Sequence, residues 1–213
     1  MENQVTNNKE MVPMEQYLED YRKADPAEMA ERTQTPYDSE RQVFTLRFLH
    51  RDYEITWPEF SAKVLDDSDL YSPLLSTNQT KILVLRYLLE CASVESKGNF
   101  MTYRDVPWGE VYFRQFNGRC QKRMEFSYGV SPAKMQQFCE KMEKLGSVKV
   151  ERGDAGYQFE MFPGFYVQFL MWAGDEEFPP SSQILFSDNY AAAFHAEDLV
   201  VVCEVMIGAM KNA

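Results

Sequence analysis

Three carboxylates crowded into one short segment are the first feature of this sequence that could do chemistry. Trp172-Ala173-Gly174-Asp175-Glu176-Glu177-Phe178-Pro179-Pro180 places Asp175, Glu176 and Glu177 between two apolar runs. Like charges at that spacing repel, which costs stability unless a cation, an arginine or ligand amides compensate them. Charge runs usually face water, so a solvated turn pinned by Phe178-Pro179-Pro180 is the plain expectation. A hard cation needs several oxygens from a spaced loop, and no known calcium or magnesium loop pattern is matched. A ligand or partner surface is the third reading. Asp188, Glu197 and Asp198 are expected on the same rim if the flanking strands pair. Paired-carboxylate catalysis there would need one acid held protonated and another ionised across a cleft.

A second candidate is Tyr103-Arg104-Asp105-Val106-Pro107-Trp108-Gly109-Glu110-Val111-Tyr112, an aromatic and basic turn. Arg104, Trp108 and Tyr112 there have the character of anchors for a planar ligand or a partner protein. Bulky aromatics are mostly buried, so completion of the core is the expected role of Trp108 and Tyr112, with a pocket edge as the alternative. His195, beside Glu197 and Asp198, reads as a helix N-terminal residue before it reads as a general base. Arg114, Arg119, Lys122 and Arg123 form a local basic excess, expected to be a solvated face of balanced charge, with a small anion-facing patch as the alternative. No Gly-x-Ser-x-Gly elbow, Gly-x-Gly-x-x-Gly fingerprint or phosphate-cradling Gly-rich loop occurs, and no cysteine has a histidine nearby. Cys91, Cys120, Cys139 and Cys203 are far apart, without a Cys-x-x-Cys pair, so they read as small hydrophobes and no metal site is assigned.

These residues must be positioned by elements whose periods are legible. Residues 1–12 are polar and aperiodic and are expected to be disordered, leaving 13–213 as one domain. From Pro13 the spacing of Met14, Tyr17, Leu18 and Tyr21 predicts a helix, and a second follows Asp25-Pro26. The period then changes to two: Phe44, Leu46 and Phe48, then Tyr53, Ile55 and Trp57, predict a β-hairpin turning at His50-Arg51-Asp52. Asp66-Asp67-Ser68-Asp69 predicts a surface loop. Thr77 or Asn78 caps a helix that buries Ile82, Leu85, Leu88 and Leu89. Gly98 to Gly129 holds a short strand, a Pro107-Trp108-Gly109 turn, and then a helix or a strand. Ser131 and Pro132 open a helix with the stripe Met135, Phe138, Cys139 and Met142, closed by Gly146.

A meander follows, from Val148-Val150 through Tyr157-Met161 and Phe165-Trp172 to Ile184-Phe186. The run Phe165 to Trp172 is apolar on both faces except at Gln168, which predicts the central strand. A last helix opens near Glu197 and Asp198 and buries Leu199, Val202, Cys203, Met206, Ile207 and Met210. Helices and strands come in blocks, so the fold class is α+β: an antiparallel sheet, from the C-terminal meander and the N-terminal hairpin, packed against several helices.

With 213 residues, 45% of them hydrophobic, the chain can bury a sizeable core. No stretch approaches the about eighteen uninterrupted apolar residues of a membrane span, and residues 1–10 lack a signal-peptide pattern, so a cytoplasmic location is expected. The net charge of -11 repels phosphate backbones and argues against nucleic acid as a partner.

Asp25-Pro26-Ala27-Glu28-Met29-Ala30 with Tyr37-Asp38, the hairpin Phe44 to Ile55, Tyr103-Arg104-Asp105-Val106-Pro107, and Trp172-x-Gly174-Asp175-x-Glu177-Phe178-Pro179 with Ile184-Leu185-Phe186 and Glu197-Asp198-Leu199 resemble a bacterial and archaeal family, domain of unknown function 3786. The resemblance runs from about Pro13 onward, and it implies a glycine where Trp108 stands and an acid in place of Ser187. It also implies a link to corrinoid or one-carbon metabolism in anaerobes, with an iron–sulfur or corrinoid protein as partner, because some members are joined to an iron–sulfur module. The expected function is a non-catalytic accessory or binding domain, with Arg104, Trp108, Tyr112, Trp172, Asp175, Glu177 and Asp188 as its ligand-binding residues. The alternative is a carboxylate-based or divalent-metal-dependent enzyme using the Gly-Asp-x-Glu-Phe-Pro loop, Asp188, and Arg104 or Arg114 to steer an anion. The residues name no catalytic group, cofactor or oligomeric state.

Overall fold

In the computed structural model, residues 8–66 and 71–213 are described, with side chains from residue 13 onward. Two helices open the chain, α1 (Asn8–Lys23) and α2 (Pro26–Thr33). The first starts earlier than Pro13, which sits inside it. Residues 8–12 are therefore helical, while residues 1–7 of the segment expected to be disordered lie outside the described residues. Asp25 caps α2 by accepting the Ala27 N–H at 2.8 Å, one of the amides that a helix start leaves without an internal partner.

The period-2 segment folds as expected. β1 (Tyr37–Asp38), β2 (Val43–Phe48), β3 (Arg51–Thr56) and β4 (Ala62–Val64) form an antiparallel sheet in sequence order. Its hairpin turns at Leu49-His50 rather than at His50-Arg51-Asp52, with both residues in the left-handed region (φ 49° and 60°). That is the hand a two-residue hairpin turn requires. Of the expected Asp66-Asp67-Ser68-Asp69 loop, residues 67–69 lie outside the described residues.

α3 (Pro73–Ser76) leads into α4 (Asn78–Glu90), whose N-cap Thr77 accepts the Thr80 N–H. The buried face of α4 is Leu83, Val84, Leu85, Tyr87 and Leu88, so Ile82 and Leu89 sit at its edges rather than in the core. α4 has to satisfy α1, α2 and the last helix at once, which widens its apolar face beyond one stripe.

After β5 (Phe100–Thr102) and a 3₁₀ turn at Tyr103–Asp105, the ambiguous region is helical: α5 (Gly109–Phe116), a π-turn at Asn117–Gln121, α6 (Lys122–Met124) and a second π-turn at Glu125–Gly129. α7 (Pro132–Lys144) has Ser131 as its N-cap, with Phe138 and Met142 buried, and Gly146 follows at φ 78°. β6 (Val148–Lys149), β7 (Ala155–Phe162), β8 (Phe165–Trp172) and β9 (Ser181–Ser187) are joined by β5 in an antiparallel sheet ordered β5-β9-β8-β7-β6. β8 is its middle strand, as its two-sided apolarity predicts.

α8 (Tyr190–Ala193) precedes α9 (Ala196–Asn212), which is buried on most sides and packs against α4, α5, α7 and the first π-turn. The hairpin and the meander thus lie in two sheets of an α+β fold. At their junction the Leu49 N–H donates to the Met161 carbonyl at 2.9 Å, and one hydrophobic cluster runs through both.

Candidate functional site

The acidic loop between β8 and β9 is explained largely by its own backbone. Asp175 Oδ1 accepts the N–H groups of Glu177 (2.9 Å) and Phe178 (2.7 Å), and the Asp175 N–H donates to the Phe178 carbonyl (2.9 Å). These backbone donors, Phe178 first, hold the Asp175 carboxyl below its ordinary range. Glu177 and Phe178 are exposed, and Trp172 is half-buried beside Gly153. Gly174 and Gly129 fit tightly against Pro180, which seats the loop on the second π-turn.

Asp188 does not join this loop. Antiparallel pairing puts the β8–β9 loop at the Trp172–Ser181 end and Asp188 beyond Ser187 at the other end. Six strand steps at about 3.3 Å separate the two ends by roughly 20 Å. Asp188 instead accepts from Ser96 Oγ (2.7 Å), the Lys97 N–H (3.1 Å) and Asn99 Nδ2 (3.2 Å), tying the segment before β5 to the end of β9. Those bonds, Ser96 first, depress its carboxyl.

The aromatic turn leads somewhere else. Gly109 opens α5 so close to the 3₁₀ turn that a Cβ there would lie 1.8 Å from the Tyr103 carbonyl oxygen. Trp108 immediately before it is in the left-handed region (φ 67°, ψ 0°) and is 74% exposed. The expectation that Trp108 completes the core is overturned; the left-handed backbone turns its indole away from the packed face. Tyr112, one turn on, is half-buried against the core. Arg104 is exposed and engaged locally, bonded to both Glu110 oxygens (2.7 and 2.8 Å), with its guanidinium 3.7 Å from the Phe113 ring centre.

Trp108 and Tyr112 form one wall of an open cleft of about 390 Å³, completed by Arg86 of α4 and by His195, Ala196 and Glu197 at the start of α9. A cavity of about 270 Å³ adjoins it between α4 and α9, and a third of about 230 Å³ between α5 and α9. Glu197 lines all three. The floor is held by a part-buried ion pair, Arg86 Nη1 to Asp198 Oδ1 at 2.5 Å, while Asp198 Oδ2 accepts the His195 N–H at 2.9 Å. Burial lifts the Asp198 carboxyl above its ordinary range, against the opposing pull of Arg86. His195 is therefore the residue before the helix, with its ring exposed and its N–H capped.

Of the residues singled out in the sequence, the fold brings Trp108 and Tyr112 together and adds His195 and Glu197. It leaves Arg104 on the neighbouring turn, Trp172 at the end of β8, Asp175 and Glu177 on the β8–β9 loop, and Asp188 at the far end of β9. Arg86 gave no signal, because its partner Asp198 is 112 positions away. The basic run is balanced in part, Arg119 by Glu204 (2.6 Å) and Lys122 by Glu125 (2.6 Å). Among the described residues no three His, Cys, Asp or Glu side chains gather as a metal site, and no helix is long and apolar enough to cross a membrane.

A protein-family model described as a domain of unknown function matches residues 25–209. No curated protein and no solved structure matches the chain.

Proposed function

The chain belongs to the family of domain of unknown function 3786, and from that premise we propose that it is a non-catalytic binding domain whose recognition surface is the cleft between α4, α5 and the start of α9. One observation carries the reading. Trp108 stands 74% exposed at the mouth of that cleft, on left-handed backbone. Such a conformation costs a residue with a Cβ about 1–2 kcal/mol, and bulky residues held that way concentrate at ligand clamps. Folding gains little from an indole that is left in water, so the recovery of that cost is assigned to binding. Tyr112 supplies a second aromatic wall, and the Arg86–Asp198 pair fixes the floor.

The alternative, an enzyme built on the Gly-Asp-x-Glu-Phe-Pro loop, has less behind it. Asp175 is occupied by its own turn, and Asp188 is at the opposite end of β9. The tie to corrinoid or one-carbon metabolism and the iron–sulfur or corrinoid partner rest on the resemblance, and a cytoplasmic location is part of the same proposal. The test is a melting-temperature screen with cobalamin, magnesium and a set of small metabolites, since a ligand of the native state raises the midpoint by mass action. The expected result is a shift that disappears in Trp108→Gly. A shift that survives Trp108→Gly and disappears in Asp175→Asn would move the site to the β8–β9 loop and overturn the proposal.

A further inference from the structure

Resting on that reading of the cleft, we infer that its occupant is an organic cation, a guanidinium or alkylammonium group seated between Trp108, Tyr112 and the Glu197 carboxylate. The arginines around the cleft are each already neutralised. Arg86 bonds Asp198 and lies 3.4 Å from Glu90, Arg119 is bidentate on Glu204 at 2.6 and 2.9 Å, and Arg104 donates from Nη1 to both Glu110 oxygens. Glu197, exposed where the three cavities meet, makes no ion pair or hydrogen bond among the described residues. The surplus charge of the cleft is therefore a carboxylate.

The helix start accounts for part of that charge and not for its setting. The partial positive charge at the N-terminus of α9 favours an acid there, but Asp198 already occupies it by accepting the His195 N–H. An anion entering the cleft would meet Glu197 with no unpaired arginine to offset it. A cation meets the carboxylate on one side and the negative faces of Trp108 and Tyr112 on the other, the arrangement in which aromatic rings bind guanidinium and ammonium groups. The net charge of -11 adds a field that draws cations to the surface.

The probes are N-acetyl-arginine amide, its uncharged counterpart N-acetyl-glutamine amide, inorganic phosphate, and a short Gly/Ser peptide with one central arginine. The readout is the indole N–H resonance of Trp108, assigned by its loss in Trp108→Gly. The arginine amide is expected to shift this signal saturably in the millimolar range, with binding weakened at least about tenfold in Glu197→Gln and unchanged in Glu177→Gln. Melting curves of both variants establish that they fold. A peptide bound about tenfold more tightly than the amide identifies the source as a partner protein's side chain, and equal binding identifies a free small cation. Phosphate or the glutamine amide shifting the Trp108 signal as strongly as the arginine amide would overturn the cation while leaving the cleft as the binding site. No shift with any of the four probes would overturn this inference, and a melting shift by cobalamin that still depends on Trp108 would separate that failure from failure of the cleft itself.

Discussion

Trp108 and Tyr190 carry unfavourable local terms of different kinds. Glycine at position 108 relieves the left-handed strain and gives back some of the gain as unfolded-state entropy. Trp108→Gly is therefore expected to unfold at the same urea concentration as the parent or a higher one, by up to about 1 kcal/mol. A clear loss of stability would mean that the indole contributes to packing after all. Tyr190 is fully buried among Phe165, Phe186 and Phe194, and among the described residues its hydroxyl has no hydrogen-bond partner. An unpaired buried hydroxyl forfeits its hydration without return, so Tyr190→Phe should raise stability by about 1 kcal/mol in urea unfolding. The aspartates differ in sign. Asp175 and Asp188 are depressed by hydrogen bonds, so their stabilisation is complete above the unfolded aspartate value and is lost as pH falls through their folded values. Asp198 is raised by burial, so its ionisation costs stability at neutral pH, and the cost is relieved as the solution is acidified toward the unfolded value. Carboxyl carbon titrations should place the Asp198 midpoint above that of Asp188, and Asp188→Asn should lose less stability on acidification than the parent.

The segment from Tyr103 through Gly129 shows how an element is aimed. Gly109 lets α5 start against the Tyr103 carbonyl, and that approach sets Tyr112 at the cleft wall. Gly109→Ala must push backbone against backbone, with an expected cost of about 3 kcal/mol by chemical denaturation and with the Tyr112 wall displaced. Elements with local signals were legible in the residues. Ser131-Pro132 announced α7, period two announced β2 and β3, and the two-sided apolar run announced β8. The stretch after Gly109 was not, because π-turns at 117–121 and 125–129 break the 3.6 repeat and aromatics occur on every side. The cleft was half legible for the same kind of reason. Trp108 and Tyr112 stood out by type, whereas Arg86 and Glu197 became neighbours only through the packing of α4 on α9. The proposed rim of Asp175 with Asp188 failed on topology: adjacent strands of a hairpin run in opposite directions, so the residue after the second strand lies far from the loop before it.

Both sheets share one core, with α9 against α4 on one side and α5, α7 and the first π-turn on the others. Met206, fully buried in α9, touches that shared core. Met206→Ala should cost about 3 kcal/mol, within the usual range for a buried methionine. Single-tryptophan variants keeping Trp57, beside the first sheet, or Trp172, in the second, should still report the same midpoint. Two separate midpoints would show that the sheets unfold independently.

The order in which these parts leave the ribosome has a consequence. Arg86, Trp108 and Tyr112 of the cleft are synthesised before residue 195, yet His195, Ala196, Glu197, the Asp198 partner of Arg86 and the helix that fills the centre of the core arrive afterwards. Until α9 has emerged, the partly made chain keeps apolar surface open and Arg86 without its Asp198 partner, the condition in which nascent chains depend on chaperones. The proposed binding surface is then assembled only once α9 is made: without that helix its aromatic wall would face no Glu197 carboxylate.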